Sequence, residues 1–372
     1  MSVTDPVRVG VIGCGVISGA YLTNMKASPH LDVVACADMV AERAHERASE
    51  FGIKALTPDQ LINDPDVDLV VNLTVPNAHA PVNLAALRAG KHVYTEKPFA
   101  TTREEGRMVL EEAARRGLQV GSAPDTFLGS GLQTCMLLLE RGEVGEPLAA
   151  SGWMLNRGPE NWHPNPSFFF MPGAGPMLDV GPYHVTALAC LLGPARRVTG
   201  MGRILYAERV AEKGPRMGEI FKVTTPTFVA GLIEYQSGAV ATLVMSFGIT
   251  GHDLPNMQLY CSKGILGVPD PNYFGGPVRL RTDEEESAWS EVPLIYEHTA
   301  KKGRNYRGLG VEEMAQALRR GDAPRASGEL GFHVLDVMLA IQESNVSGRH
   351  IDITSTFRRP PRLPLEQTLT EA

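Results

Sequence analysis

Lys97 stands directly after a short apolar run and is of the residue type that stabilises negative charge on oxygen. The run Lys91-His92-Val93-Tyr94-Thr95 is typical of a short parallel strand, and Glu96-Lys97-Pro98 follows it. Strands of an open α/β sheet direct their carboxyl ends toward the crevice where such sheets bind ligands. Proline permits a cis peptide bond, so the Lys97-Pro98 bond can turn sharply and aim the lysine. The alternative is a lysine exposed to solvent, as most lysines are.

A second set of polar residues lies in the glycine-rich segment from Pro172 to His184. On a helix, Asp179 and Tyr183 would lie one turn apart on one face, and His184 would be rotated by about 100° from Tyr183. A carboxylate followed by a phenol or an imidazole suits acid/base chemistry in a cleft. The alternative is a helix start that Asp179 caps, with both ring side chains packed in the core.

A glycine-rich turn near the N-terminus predicts a loop that binds phosphate groups. The β-branched run Val7–Ile12 leads into Gly13-x-Gly15-x-x-Ser18, in which serine replaces the third glycine of the full pattern. Gly13 permits the tight turn, and Gly15 lets the backbone approach a pyrophosphate. The pyrophosphate would sit on the amide groups at the start of the following helix, at Val16 and Ile17.

Asp38 ends a second predicted strand, Leu31–Ala37, where the ribose-binding acid of a dinucleotide site is expected. An aspartate there accepts hydrogen bonds from the 2′-hydroxyl and repels a 2′-phosphate, which favours NAD over NADP. Two observations keep the alternatives open. Asp38 would also cap the helix that begins near Val40, and Arg43 leaves room for a phosphate, so NADP is not excluded.

The segment from Thr74 to His79 follows a further buried strand at its carboxyl end. We expect the backbone at Thr74 and Pro76 and the side chain of Asn77 to line the nicotinamide half of the crevice. Glu96 is predicted to lie at the same edge. His79 belongs to this set of candidates, although a local contact at the helix start is the favoured interpretation for that ring.

Strands and helices alternate as far as residue 122, and strand-like runs dominate after it. The alternation predicts a doubly wound parallel sheet of the Rossmann type over residues 1–122, and the later runs predict an α/β domain with a mostly antiparallel sheet over residues 123–372. The second domain would bind the substrate and contact other subunits.

The composition and charge of the chain argue against a nucleic-acid-binding protein and against a membrane protein. The chain has 372 residues and a net charge of −7 without a basic block, so nucleic acid is not an expected partner. Five cysteines form no Cys-x-x-Cys pair, which predicts free thiols in a reducing compartment. No long apolar window and no leader-like N-terminus occurs, so we expect a cytoplasmic protein away from membranes.

An aromatic segment between the two sets of polar residues is a candidate wall for a sugar ring. Trp162 and His163 would contact the ring, with Arg157 and Asn161 as hydrogen-bonding groups. Asp125 is a further candidate for the same cleft, with helix capping as its alternative. A loop that packs on its own domain or on another subunit would explain the aromatic residues equally well.

A zinc site with Asp179, His184 and His163 as ligands is also conceivable. Their spacing is not the tight spacing of zinc ligands. We therefore expect no metal.

The order and spacing of these motifs resemble the glucose-fructose oxidoreductase, inositol dehydrogenase and rhizopine catabolism family, called Gfo/Idh/MocA. The resemblance rests on Gly13-x-Gly15, Pro76-Asn77, Glu96-Lys97-Pro98 and the helix with Asp179-x-Gly181. It implies a Rossmann domain, a second domain with a large open sheet, and NAD(P)-dependent hydride exchange with a sugar or cyclitol carbon. Homodimers and homotetramers built through that sheet are common in the family.

The resemblance also implies roles for the candidate residues. Lys97 would stabilise the alkoxide, Asp179 would orient the substrate or the base, and Tyr183 or His184 would take the proton. Many members carry histidine where this chain has Tyr183, and others, including the glucose-fructose enzyme, are similar to it in carrying tyrosine. Two other classes remain open: a regulatory protein that binds a dinucleotide without turnover, and a glycosidase that uses NAD transiently.

Overall fold

The structure, a computed structural model, describes residues 5–283, 287–296, 299 and 305–364. The chain forms two compact units. Unit 1 contains the residues up to Ser130, Ile295–Phe332 and the segment from Pro360, while unit 2 contains Gly131–Leu294 and His333–Arg359. These units differ from the predicted division after residue 122, because two later segments return to unit 1.

Unit 1 is built on a six-stranded parallel sheet with the order β3-β2-β1-β4-β5-β6. Its strands are β1 Val7–Ile12, β2 Leu31–Ala37, β3 Lys54–Leu56, β4 Leu69–Asn72, β5 His92–Thr95 and β6 Val120–Ser122. The central strands are buried, as expected where helices cover both faces of a parallel sheet. The predicted doubly wound sheet is confirmed. Its strand order reverses between β1 and β4, the position where such sheets bind ligands.

The described residues form helices α1 Ser18–Ala27, α2 Ala41–Phe51, α3 Pro58–Asn63, α4 Pro76–Arg88, α5 Arg103–Arg116, α6 Ser130–Glu140, α7 Pro176–Asp179, α8 Gly181–Leu192, α9 Leu309–Arg320 and α10 Gly328–Ser347. Capping contacts determine where some of these helices begin and end. Thr102 forms a capping box with Glu105 at the start of α5, and Gly117 ends that helix in the left-handed conformation. None of the helices in the described part of the chain has the length and apolar character needed to cross a membrane.

Unit 2 contains a nine-stranded sheet with the order β16-β15-β14-β13-β7-β12-β11-β8-β17. Its strands are β7 Pro147–Asn156, β8 Ala195–Arg203, β11 Phe228–Tyr235, β12 Val240–Phe247, β13 Met257–Cys261, β14 Gly264–Val268, β15 Val278–Thr282, β16 Ser290–Val292 and β17 Ile351–Asp352, and a separate pair consists of β9 Glu208–Val210 and β10 Ile220–Lys222. Only β7 and β12 pair in parallel within the nine described strands. This confirms the prediction of a mostly antiparallel sheet.

Helix α8 forms the centre of the unit 2 core, because all of its residues are buried. A methyl group added to Gly152 on β7 would lie 3.5 Å from the His184 ring, so α8 packs closely on this strand. Leu188 and Cys190 have no exposed surface. The run of apolar residues after Gly181 therefore produces a buried helix, as its length and hydrophobicity predict.

Candidate active site

The glycine loop has the shape that a bound phosphate group requires. Gly13 has φ 104°, and a Cβ atom there would lie 2.6 Å from the carbonyl of Leu73, so only glycine fits. A Cβ atom at Gly15 would meet nothing within 4 Å, and Val16 is 91% exposed. The space above the loop is open, and the first amide groups of α1 begin beside it at Ile17. This cradle fits a dinucleotide phosphate on a helix N-terminus.

Asp38 joins the end of β2 to the glycine loop. Its Oδ2 accepts a hydrogen bond of 2.8 Å from the backbone amide of Cys14, and its Oδ1 accepts one of 2.9 Å from the amide of Val40. The contact with Val40 is the helix-start contact that the sequence left open as an alternative. Each carboxylate oxygen keeps a further lone pair for a ribose hydroxyl, so the predicted cofactor role stays a prediction.

Asn72, which the sequence analysis did not single out, shapes the loop after β4. The side chain is fully buried, and its Nδ2 donates to Asn83 Oδ1 at 2.7 Å and to the His79 carbonyl at 3.1 Å. Its Oδ1 accepts from the amide and the hydroxyl of Thr74, at 3.2 and 2.6 Å. A polar residue that ends a buried strand was the available signal. These contacts place Thr74 at the sheet edge and leave Asn77 exposed.

His79 is buried between two backbone carbonyl groups and is only 1% exposed. Its Nδ1 lies 2.7 Å from the Pro98 oxygen, and its Nε2 lies 3.0 Å from the Thr74 oxygen. Burial lowers the pKa of this imidazole. These contacts match the local interpretation that the sequence favoured for this ring, and a cofactor role for His79 stays a prediction.

Glu96 holds the backbone of Lys97. The Glu96 side chain is 8% exposed, and its Oε1 accepts a hydrogen bond of 2.8 Å from the Tyr21 hydroxyl on α1. Its Oε2 accepts one of 2.9 Å from the Lys97 amide. Burial raises the pKa of Tyr21, so this phenol stays a neutral donor. These two bonds set the position of the backbone at Lys97, and the expected contact of Glu96 with the cofactor stays a prediction. Lys97 is half-buried, and the peptide bond to Pro98 is cis.

Asp125 is a buried helix cap. It is 1% exposed, and its Oδ2 accepts hydrogen bonds from the amides of Gly308 at 3.0 Å and Gly310 at 2.9 Å, at the start of α9. Burial raises the pKa of this carboxyl group to about 6. These contacts support the capping alternative, and a substrate contact of Asp125 stays a prediction.

The glycine-rich segment of unit 2 forms two short helices rather than one. Gly175, with φ 87°, precedes α7, and Val180 separates α7 from α8. Asp179 ends α7 and is half-buried, whereas Tyr183 lies in the first turn of α8 and is 6% exposed. The amide of Tyr183 donates to the Val180 carbonyl at 3.1 Å, which closes the turn between the helices.

His184 faces the interior of unit 2. It is 1% exposed, and its ring packs on β7 at Gly152. Burial lowers the pKa of the ring, while the charge of Asp270 raises it. Its position matches the core alternative in the sequence analysis. Among the described residues, no three His, Cys, Asp or Glu side chains lie close enough to bind one metal ion.

The aromatic residues predicted to contact the substrate form one cluster in unit 2. Trp162 is 56% exposed, and its ring meets the His163 ring edge to face, with 5.4 Å between centroids. His163 lies 5.0 Å from Phe169, and its Nδ1 accepts from the Asn165 amide at 3.1 Å. The cluster has a packed side and an open side. It is therefore compatible with both interpretations that the sequence left open.

Arg157 and Asn161 lie on the exposed part of the same segment. The Arg157 guanidinium pairs at 3.2 Å with Glu212, which lies in the segment between β9 and β10. This exposed ion pair contributes little to stability. Both side chains remain candidates for contacts with a polar ligand.

Arg209 and Glu160 form a largely buried ion pair beneath this segment, which the sequence analysis missed. Arg209 also donates to the Phe247 carbonyl at 3.1 Å and lies 5.5 Å above the Phe170 ring. Burial lowers the pKa of the guanidinium. No local sequence signal links Arg209 to Glu160, because they are far apart in the chain. The pair fixes the base of the aromatic segment to the strand pair.

Comparisons with known proteins agree with this arrangement. A family model described as an oxidoreductase family with an NAD-binding Rossmann fold matches residues 7–123. A second model, the GFO/IDH/MocA C-terminal domain, matches residues 132–267. Together the two models match well over half of the chain.

Two curated relatives span nearly the whole chain. The 1,5-anhydro-D-fructose reductase of Ensifer adhaerens is 27% identical over 93% of this chain and 98% of its own. The myo-inositol 2-dehydrogenase of Thermotoga maritima is 24% identical over the same shares. A solved structure of levoglucosan dehydrogenase in complex with NADH and levoglucosan superimposes with a TM-score of 0.81 at 21% identity, covering 94% of this chain and 100% of that chain. With both domain models, the open glycine loop and the Glu-Lys-Pro segment in place, the chain belongs to the Gfo/Idh/MocA family of oxidoreductases.

Proposed function

We propose that this oxidoreductase transfers a hydride between a nicotinamide cofactor and a secondary alcohol or ketone carbon of a sugar, cyclitol or related polyol. The observation that carries the proposal is the position of Lys97. It follows β5 at the carboxyl edge of the parallel sheet, where the glycine loop after β1 also lies, and Glu96 holds its backbone. The activities of the curated relatives support the class of substrate.

The proposed roles follow from the chemistry of each side chain. The Lys97 ammonium group stabilises negative charge that develops on the substrate oxygen. Tyr183 takes the proton from the hydroxyl, and Asp179 orients the substrate or the phenol. Tyr183 and His184 are both buried, at 6% and 1% exposed, and the packing of the His184 ring on β7 favours Tyr183 as the proton acceptor. A bound nicotinamide supplies the hydride acceptor in oxidation and the donor in reduction.

We assign the cofactor to the residues of the glycine loop and its neighbours. The amides of Val16 and Ile17 would hold the pyrophosphate, and Asp38 would accept from the ribose. Thr74, Pro76 and Asn77 would line the nicotinamide end. The carboxylate of Asp38 makes NAD the preferred cofactor, because it repels a 2′-phosphate.

The exposed aromatic cluster supports a sugar-like substrate. Trp162 offers a flat apolar face of the kind that packs against sugar C–H groups, and His163 lies at its edge. Arg157 and Asn161 supply donors and acceptors for hydroxyl groups. This assignment makes one side of the cluster a binding wall and the other, at Phe169, its support.

The outer face of the nine-stranded sheet supports assembly into a homodimer or homotetramer. Met201 on β8, Leu232 on β11 and Val240 on β12 are 79%, 46% and 43% exposed and lie on one face by the strand register. Exposed apolar groups on a sheet face are typical of subunit contacts. Because all five cysteines are free thiols, we place the protein in the cytoplasm.

A panel of polyols, inositols and anhydrosugars with NAD and NADP, followed by absorbance at 340 nm, tests the function. We expect net NADH formation with at least one member and loss of turnover in Lys97→Ala. Tyr183→Phe should lose turnover as well, while His184→Ala, if it folds, should retain it. A Lys97→Ala enzyme with normal turnover contradicts the scheme. Release of a leaving group without net NADH would indicate a glycosidase, and NADH binding without either reaction would indicate a regulatory protein.

A further inference from the structure

His79 makes two contacts that a neutral imidazole cannot satisfy together. Both ring nitrogens face carbonyl oxygens, that of Pro98 at 2.7 Å and that of Thr74 at 3.0 Å. A neutral imidazole has one N–H donor, and its other nitrogen carries a lone pair. Only one of the two contacts is therefore a hydrogen bond unless the ring is protonated.

The surroundings favour the neutral ring at neutral pH. Burial lowers the pKa of His79, and the charge of Lys97 lowers it further. The two carbonyl groups and the Glu96 carboxylate act in the opposite direction but do not outweigh burial. A buried histidine with a lowered pKa is uncharged above about pH 6.5. The proton must then lie on one nitrogen, and we place it on Nδ1, because a lone pair there would face the Pro98 oxygen at only 2.7 Å, whereas a lone pair on Nε2 faces the Thr74 oxygen at 3.0 Å.

We propose that His79 is a positioning residue for Lys97, and that its neutral Nδ1–H form donates to the Pro98 carbonyl and fixes the chain just after the lysine. The proposal rests on the function proposed above, because it assigns His79 a role in turnover through Lys97.

Lys97 is then held from both sides. Before it, the Glu96 carboxylate accepts from the Lys97 amide and from Tyr21, so α1 anchors this side. After it, His79 on α4 anchors the Pro98 carbonyl. Loss of the second anchor leaves the short segment attached at one end only. A displacement of about 1 Å in a reacting group lowers turnover by up to about a hundredfold.

Two amide substitutions separate this role from a general role in packing. The amide nitrogen of asparagine is attached where Nδ1 stands in histidine, so His79→Asn can restore the bond to Pro98. The amide of glutamine extends one bond further, toward the place of Nε2, so His79→Gln can restore only the contact with Thr74. Both replace a buried ring by an amide, and we expect similar losses of thermal stability. His79→Ala, with neither donor, is the third variant.

The test measures kcat and KM with NAD and the best polyol of the panel, the Kd of NADH by fluorescence, and Tm. We expect His79→Asn to keep kcat within about threefold of the unsubstituted enzyme, and His79→Gln and His79→Ala to lose about tenfold or more. The Kd of NADH should stay within about twofold, because both ring nitrogens of His79 face backbone carbonyl groups. Equal losses of kcat in the Asn and Gln variants, or a smaller loss in the Gln variant, would overturn the proposal.

A second measurement needs no substrate. In protein labelled with ¹⁵N-histidine, the ring signals that disappear in His79→Asn identify His79, and at pH 8 we expect the proton on Nδ1. A proton on Nε2 alone overturns the proposal even if turnover is normal. If the enzyme turns over no polyol, the proposed function fails by itself, and the ring tautomer still decides whether the bond to Pro98 exists.

Discussion

The buried carboxyl group of Asp125 should make the stability of the protein depend on pH. Its pKa is raised from the ordinary 3.8 to about 6, mainly by burial and further by the charge of Glu96, while the amides of Gly308 and Gly310 and the charge of Arg307 act against burial. The folded protein therefore binds more protons than the unfolded chain between these two pH values. Stability is favoured by protonation below that window and falls as the pH rises through it.

The magnitude follows from the difference in pKa. About 2 pH units at about 1.4 kcal/mol each give about 3 kcal/mol of stability lost between acid and alkaline pH. About half of this, roughly 1.5 kcal/mol, is expected between pH 5 and pH 8. Asp125→Asn keeps an oxygen that accepts from the two amides but carries no charge. Its free energy of unfolding relative to the native sequence should rise by this amount from pH 5 to pH 8.

Urea unfolding at both pH values, followed by intrinsic fluorescence, measures this difference, because all other titrating groups are shared by the two proteins. Asp125→Ala is the control. It leaves two buried amide groups without an acceptor, at about 1–3 kcal/mol each, and should be destabilised at both pH values. An Asp125→Asn protein whose stability relative to the native sequence is the same at pH 5 and pH 8 would refute the assignment of a buried, charged cap.

Three further predictions concern side chains at or near the proposed site and in the unit 2 core. Asp38→Asn should keep the hydrogen bond from Cys14 but remove the charge, so the ratio of kcat/KM for NADP to that for NAD should rise by about tenfold; an unchanged ratio would contradict the cofactor role. Tyr21→Phe removes a donor to the buried Glu96 carboxylate and should lower the free energy of unfolding by about 1.5–3 kcal/mol, with a fall in kcat that exceeds any rise in KM; native stability in this variant would contradict the bond. Burial lowers the pKa of His333 from 6.5 to about 4, so the unfolded chain binds more protons between these pH values and the stability falls by at most about 3.5 kcal/mol as the pH falls from 6.5 to 4. A His333→Gln protein should show a flatter fall of Tm on the acid side, and an unchanged slope would contradict that role.

The sequence predicted the local features of this molecule well. The parallel sheet follows from the alternation of apolar runs and helical segments, and the glycine loop follows from Gly13 and Gly15 in that context. The ends of the helices were predicted less accurately than the sheet and the glycine loop. The segment from Thr74 to His79 was predicted only to line the crevice, yet α4 already begins within it at Pro76, because proline at the first helical position is favourable.

Contacts between residues that are far apart in the sequence could not be predicted from local patterns. Asp125 has the residue type of a helix cap, but the amides that it accepts from belong to Gly308 and Gly310, 183 and 185 residues later. Nothing in the sequence near Asp125 indicates that residues 295–332 return to unit 1. For the same reason, the Arg209–Glu160 pair beneath the aromatic segment could not be predicted.

The Glu-Lys-Pro segment shows why a short motif does not specify its own geometry. The identity of Lys97 gives the charge, but Tyr21 lies 75 residues from Glu96, and His79 lies 19 residues from Pro98. A chain with this tripeptide but without the two partners would carry the same lysine with fewer constraints on its backbone. If the position of the lysine limits turnover, then Tyr21→Phe and His79→Gln should each lower kcat although neither side chain is proposed to touch the substrate. Their combined effect should be smaller than the product of the single effects, because both act on the placement of one ammonium group.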